Sequence, residues 1–164
     1  MTTTDPAPAT QPYDGGLQAM TLMVYGWMPR IFGHITPEYF GSHDKPIVNT
    51  IRTITTIERG RAYVKHQMAK TPPVNNSWVG TSKLLHCLNP EIFPIWDSRI
   101  AAKLGYTARH RHERKDAYLA YMQWIETACQ HPVAEELVAH FGGTCSKVRA
   151  VEFTLFTLPN DQTT

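Results

Sequence analysis

Cysteine is scarce in this chain: Cys87, Cys129 and Cys145 are the three in 164 residues, odd in number and widely spaced. They fit neither a disulfide framework nor a paired zinc motif, so buried free thiols are expected. Long apolar runs are missing as well. No stretch approaches the roughly eighteen apolar residues that a membrane span needs, so no membrane partner is expected. Residues 1–16 lack the basic start and apolar segment of a secretory leader, which makes the cytoplasm the expected compartment. Net charge is only +2, so overall charge does not by itself point to nucleic acid. Sustained alternation of apolar and polar residues is absent too, which argues against strands.

What is present reads as one globular domain. Hydrophobic residues make up 42% and charged residues 18%, a balance that supports a core and excludes a disordered chain. The length allows one domain and is short for two. Residues 1–16, rich in Thr, Pro, Ala and Gly, read as a tail; 17–158 as a single helical domain; 159–164 as a second short tail. Helical spacing runs through Leu17, Met20, Met23 or Val24 and Trp27, and Thr36-Pro37 opens a short helix to Phe40. Ile47, Ile51, Ile54 and Ile57 follow one face of a helix that Gly60 is expected to break or kink, with Tyr63, Val64 and Met68 beyond it. Tyr118, Met122, Ile125 and Cys129 mark a helix from about Lys115. After His131-Pro132 another helix stops at Gly142-Gly143, and Ser146 to Leu158 closes the pattern. The expected fold class is all-α, a compact multi-helix domain of roughly seven or eight helices.

The chemistry concentrates between Trp78 and Tyr106. Val79-Gly80-Thr81-Ser82 reads as a tight turn with a hydroxyl N-cap for a helix that starts near Lys83 and stops at Asn89-Pro90. Asp97 stands at an N-cap position, and Ile100, Ala101 and Leu104 carry a second helix to Gly105. A lysine and an aspartate at the starts of two successive short helices can act on one ligand. Just downstream lie Arg99, Lys103, Arg109, Arg111, Arg114 and Lys115, against the single acid Glu113. This local basic patch has the makings of a phosphate-contacting surface. His110 and His112 are interleaved in it, but no third ligand is evident and no metal site is expected.

Val79-Gly80 with Lys83, Phe93-Pro94 with Asp97, and the run Asp97-Ser98-Arg99-Ile100 to Lys103-Leu104-Gly105 resemble the catalytic core of helix-hairpin-helix DNA glycosylases, the superfamily of endonuclease III and 8-oxoguanine glycosylase. The resemblance directly covers about thirty of the 164 residues. It implies a helix-hairpin-helix-like DNA-binding element, a duplex DNA partner with one base flipped out, action as a monomer, and release of that base. Three cysteines leave no room for the four-cysteine iron–sulfur cluster that some relatives carry, so no cofactor is expected. Asp97 takes the place of the family's catalytic aspartate, where a carboxylate stabilises positive charge on the sugar and orients or deprotonates the nucleophile. Lys83 takes that of the lysine which, where present, attacks C1′ and forms a Schiff base.

The lysine sits three residues beyond the glycine, and Trp96 is an additional residue before the aspartate. The spacing leaves two routes open: attack by Lys83, or water activated by Asp97 with Lys83 gripping a phosphate or the leaving base. Trp96 and His86 flank the pair as candidates to stack on or hydrogen-bond the extruded base. Gly80, Thr81 and Ser82 are candidates to offer backbone N–H groups to a phosphate, with Arg99, Arg109, Arg111 and Arg114 adding contacts. Base-excision repair and antiviral defence against modified foreign DNA are both compatible roles. The alternatives are a non-catalytic helical DNA-binding module and a helical protein-interaction domain. Core packing for Trp96 and His86, simple N-capping for Asp97 and a solvated face for the arginines are the plain structural readings of the same residues.

Overall fold

The computed structural model describes residues 44–68, 74, 77–106 and 114–159. Among them are seven α-helices and no strand: α1 Asp44–Arg52, α2 Ile57–Gln67, α3 Trp78–Leu88, α4 Ser98–Lys103, α5 Lys115–Gln130, α6 Val133–His140 and α7 Lys147–Thr157. The all-α class expected from the spacing holds. The expected helices over 17–27 and at Thr36–Phe40, and the loop carrying Arg109, His110, Arg111 and His112, lie outside the described residues.

The helix boundaries follow local capping chemistry. Thr56, Ser77, Asp97 and Ser146 each place a side-chain oxygen on an N–H of the first turn that follows, opening α2, α3, α4 and α7. Gly105 (φ +82°) closes α4, and Gly142 and Gly143 (φ +76° and +71°) follow α6, a backbone region glycine enters at little cost. The Tyr118, Met122 and Ile125 face of α5 is buried as its spacing predicts.

Three expectations are corrected here. Gly60 does not break a helix; it lies inside α2, and the break falls at residues 53–56 instead. The reason is packing: a Cβ at Gly60 would stand 2.6 Å from Ile92 Cγ2 and 3.3 Å from the Phe93 ring, so glycine lets the loop after α3 press on α2. Val79-Gly80-Thr81-Ser82 is not a turn either. Ser77 caps the helix, so α3 begins at Trp78 and these residues form its first turns. Finally, the thiols are not uniformly buried: Cys87 is exposed, and Cys129 and Cys145 are intermediate.

The core forms around the aromatics. Trp78 stacks on Tyr118 at 5.7 Å between ring centroids, and Trp96 meets Tyr121 at 4.9 Å. α2 packs on α5, while α5, α6 and α7 pack on one another. Helix α3 is buried on most of its circumference and leaves Lys83, His86 and Cys87 at its open side.

The segment from Asn89 to Asp97 has no regular structure, yet it is tied down along its length. Asn89 Nδ2 donates to the carbonyls of Ile51 and Ile54, both at 2.9 Å, satisfying backbone at and beyond the end of α1. Tyr118 donates its hydroxyl to Pro94 O at 3.2 Å, and Trp96 N–H donates to Ser82 Oγ at 2.9 Å. Ile92, Phe93 and Trp96 are buried beneath it.

Asn89→Ala should cost about 1–2 kcal/mol, because Ile54 O loses this donor while Ile51 O keeps only the Ile54 N–H at 3.3 Å. Asn89→Asp should cost a similar amount, since a carboxylate cannot donate. Urea denaturation of both variants checks this, and losses under about 0.5 kcal/mol would mean that water replaces the amide.

Candidate functional site

A cleft of about 590 Å³ opens between α3, α4 and α7. Helix α3 supplies Lys83, His86 and Cys87 to its wall, and Asp97 and Ile100 come from the start of α4. Helix α7 supplies Arg149, Glu152, Phe153 and Phe156. The lysine and aspartate singled out in the sequence therefore share one cavity, although fourteen positions separate them.

Each charged group is set by its surroundings. Burial holds the Lys83 ammonium below the usual lysine range, opposed by the nearby Asp97 carboxylate, so its amine is more readily neutral than a surface lysine's. Asp97 Oδ1 accepts the N–H of Ile100 at 2.8 Å, the N-cap bond that fixes the carboxylate's position. Burial likewise lowers the His86 pKa; its contact with Phe93 O works against this, and Arg149 adds to it. His86 Nδ1 lies 2.8 Å from Phe93 O. Glu152 Oε2 is 3.9 Å from the same nitrogen, too far for a hydrogen bond.

Glu152 is the least expected member. It is 3% exposed and accepts from Ile95 N–H at 3.0 Å and from Arg149, which lies one turn earlier on α7. Burial pushes its carboxyl above the usual range, Ile95 N–H and Arg149 pull it back, and Asp97 adds a smaller push upward. Neither Glu152 nor Arg149 stood out in the sequence. A signal was there: Val148, Val151 and Leu155 form a buried stripe at helical spacing, and Glu152 falls within it. A carboxylate in an apolar stripe needs partners. Phe153 is 41% exposed, and both it and Phe156 line the cleft.

Other candidates are placed differently. Trp96 is fully buried, packed against Tyr121 and Tyr106, and cannot stack on a ligand in the cleft. Gly80 N–H is taken by Ser77 Oγ at 3.3 Å and Thr81 N–H by Ser77 O at 2.9 Å. The Ser82 hydroxyl is buried against Val79 O and Trp96. Capping satisfies this helix start internally, so Gly80, Thr81 and Ser82 do not form a phosphate cradle.

The basic patch is largely committed as well. Lys103 Nζ donates to Leu155 O at 2.7 Å and Phe156 O at 3.1 Å, and also to Leu158 O, locking the end of α7. Lys115 Nζ does the same for α2, at 2.8 Å from Lys65 O and 2.6 Å from Met68 O. Arg114 pairs with Asp116. Arg99 lies over the Phe156 ring, 5.0 Å from its centroid, beside the cleft. Arg109 and Arg111 are outside the described residues. Among the described residues no cluster of three His, Cys, Asp or Glu side chains is arranged to hold a metal, and no helix is long and apolar enough to cross a membrane.

Comparison with protein-family models, with curated proteins and with solved structures returned no match for this chain.

The His86 environment makes stability depend on pH in a defined sense. With its folded pKa below the ordinary 6.5, the unfolded chain takes up the imidazole proton first as pH falls. The stability His86 contributes is therefore present above pH 6.5 and is lost as pH drops toward its lowered folded value. Glu152 acts oppositely: with a folded pKa raised above 4.5, its contribution is present at low pH and lost as pH rises through that raised value. Thermal denaturation from pH 7.5 to pH 5 should show a steeper acid decline for the parent than for His86→Gln; equal slopes would remove His86 as the cause.

Proposed function

We propose that this chain hydrolyses N-glycosidic bonds in nucleic acid, taking a single extruded base into the cleft and releasing it. The more particular reading is a DNA glycosylase of the helix-hairpin-helix kind, acting as a monomer on duplex DNA and leaving an abasic site. The observation that carries it is the convergence of Lys83 and Asp97 on one cavity with aromatic walls. A cavity of about 590 Å³ falls within the range of small-ligand pockets, roughly 300–1,000 Å³. Phe153 and Phe156 offer apolar surface for a heterocycle, and Arg99 beside Phe156 offers charge for a flanking phosphate. Repair and defence differ in the base chosen and not in this machinery.

Catalysis follows from the placement of the two groups. Cleavage builds positive charge on the deoxyribose, and Asp97 supplies a carboxylate in a partly desolvated cleft to stabilise it. One carboxylate oxygen is occupied by Ile100 N–H, which leaves the other for water or the sugar. Lys83, its amine brought toward neutrality by burial, either attacks C1′ or interacts with the leaving base. Asp97→Asn removes the charge and keeps a good N-cap. It should leave the melting temperature nearly unchanged and slow base release by about 10²- to 10⁴-fold. The assay incubates the protein with duplexes carrying different modified bases and scores abasic sites. Near-normal turnover by Asp97→Asn on the substrate found would overturn the assignment.

Borohydride divides the two routes. A trapped protein–DNA complex that Lys83→Ala abolishes establishes covalent catalysis with strand cleavage; an intact abasic strand with nothing trapped establishes Asp97-directed water. The spacing of the two residues favours the water route.

A second reading, a protein-interaction domain, is favoured by one observation. On the opposite side of α7, a groove of about 530 Å³ is lined by Val151, Leu155 and Leu158 with Trp124 and Val133. Trp124, Val133 and Leu158 are each more than 40% exposed. Base release that survives Trp124→Ser and fails in Asp97→Asn separates the two faces.

A further inference from the structure

The cleft holds several polar groups, and most are committed. Lys83 and Arg149 are donors. Glu152 has both oxygens engaged, by Ile95 N–H and by Arg149. Asp97 carries one capping bond, from Ile100 N–H. His86 differs from all of these. A backbone carbonyl can only accept, so the 2.8 Å contact between His86 Nδ1 and Phe93 O requires a hydrogen on Nδ1. Neutral imidazole carries one ring hydrogen. Nε2 is then a lone pair, without a partner among the described residues, in a side chain that lines the cleft.

We propose that His86 reads the bound heterocycle through Nε2 as a one-way hydrogen-bond acceptor, selecting bases that present a ring or exocyclic N–H over isosteres that present a lone pair or a methyl group there. This rests on the base-pocket reading above and adds to it which edge chemistry the pocket accepts. The physical ground is the cost of mismatch. A ligand lone pair facing Nε2 leaves two acceptors in contact with no proton between them, and the part-buried imidazole cannot turn to donate without giving up Phe93 O. Burial supports the assignment by keeping the ring neutral near pH 7. Arg149 on α7 discourages a second proton, and Glu152 at 3.9 Å is too distant to hold one.

Nitrogen-15 NMR of the full chain at pH 7.5 reads the tautomer directly. The expected result is hydrogen on Nδ1 and none on Nε2 of His86; hydrogen on Nε2 overturns the inference at once. The second measurement titrates deoxyuridine, thymidine, deoxyinosine and deoxyguanosine, each against its counterpart methylated at the ring N–H. At least one pair should bind with about a 10-fold preference for the unmethylated form, the worth of one hydrogen bond, and shift the His86 Nε2 resonance. His86→Phe should lose that preference. His86→Gln, whose amide oxygen also accepts, should keep part of it and guards against a misfolded Phe variant.

Binding with no preference, or with a preference unchanged in His86→Phe, overturns the role of His86 and leaves the pocket reading in place. Failure of all these nucleosides to perturb any cleft resonance overturns both. Abasic-site formation lost in Asp97→Asn tests the reaction independently of either result.

Discussion

Two hydrogen-bonding groups hold this architecture to its site: the Ser82 hydroxyl and the backbone of Trp96. Trp96 N–H donates to Ser82 Oγ at 2.9 Å, and Ser82 Oγ stands 3.2 Å from Trp96 O, all within the core. Lys83 follows Ser82 in the chain, and Asp97 follows Trp96. Joining those neighbours therefore brings the lysine and the aspartate to one cavity. The Trp96 ring, fully buried, lies tilted against Tyr121 and edge-on to Tyr106. A buried backbone group left unpaired costs about 1–3 kcal/mol, so the loop between α3 and α4 has little freedom to slip.

The rest of that loop is held by the same means from other directions. Tyr118 reaches Pro94 O, Glu152 accepts Ile95 N–H, and Asn89 ties its start to the end of α1. Glycine at position 60 lets Ile92 and Phe93 settle against α2. An irregular segment of this kind acts as a rigid support because its polar groups are satisfied by helices already packed together. Glu152 shows the cost and the use together: a buried carboxylate is unfavourable alone, and here it is held by Arg149 and the loop backbone while facing a cleft.

Charge is spent on architecture more than on a surface field. Lys103 and Lys115 close the open carbonyls at the ends of α7 and α2, where a cation also meets the negative end of the helix dipole. Arg114 is paired with Asp116. Among the described residues, Lys83 and Arg149 line the cleft and Arg99 stands beside it; Arg99 and Arg149 lie over phenyl rings, and Arg149 is also paired with Glu152. Helix α7 thus has two characters, charged and aromatic toward the cleft, aliphatic toward the groove behind it.

The sequence by itself determined what lies within one helical turn of its cause. The N-cap at Asp97, the glycine stop at Gly105, the buried face of α5 and the Gly142-Gly143 ending are set by neighbouring backbone and by the 3.6-residue period, and all were legible. Only the tertiary structure decided the roles that depend on residues far along the chain. Trp96 went to the core and not to the cleft, Lys103 and Lys115 became helix locks, and Glu152 joined the site from α7. Gly60 was misread for the same reason, since the Ile92 side chain that demands a glycine is more than thirty positions away. Periodicity says which side of a helix is apolar; it does not say which distant group meets that side, and at this site the distant groups decide the chemistry.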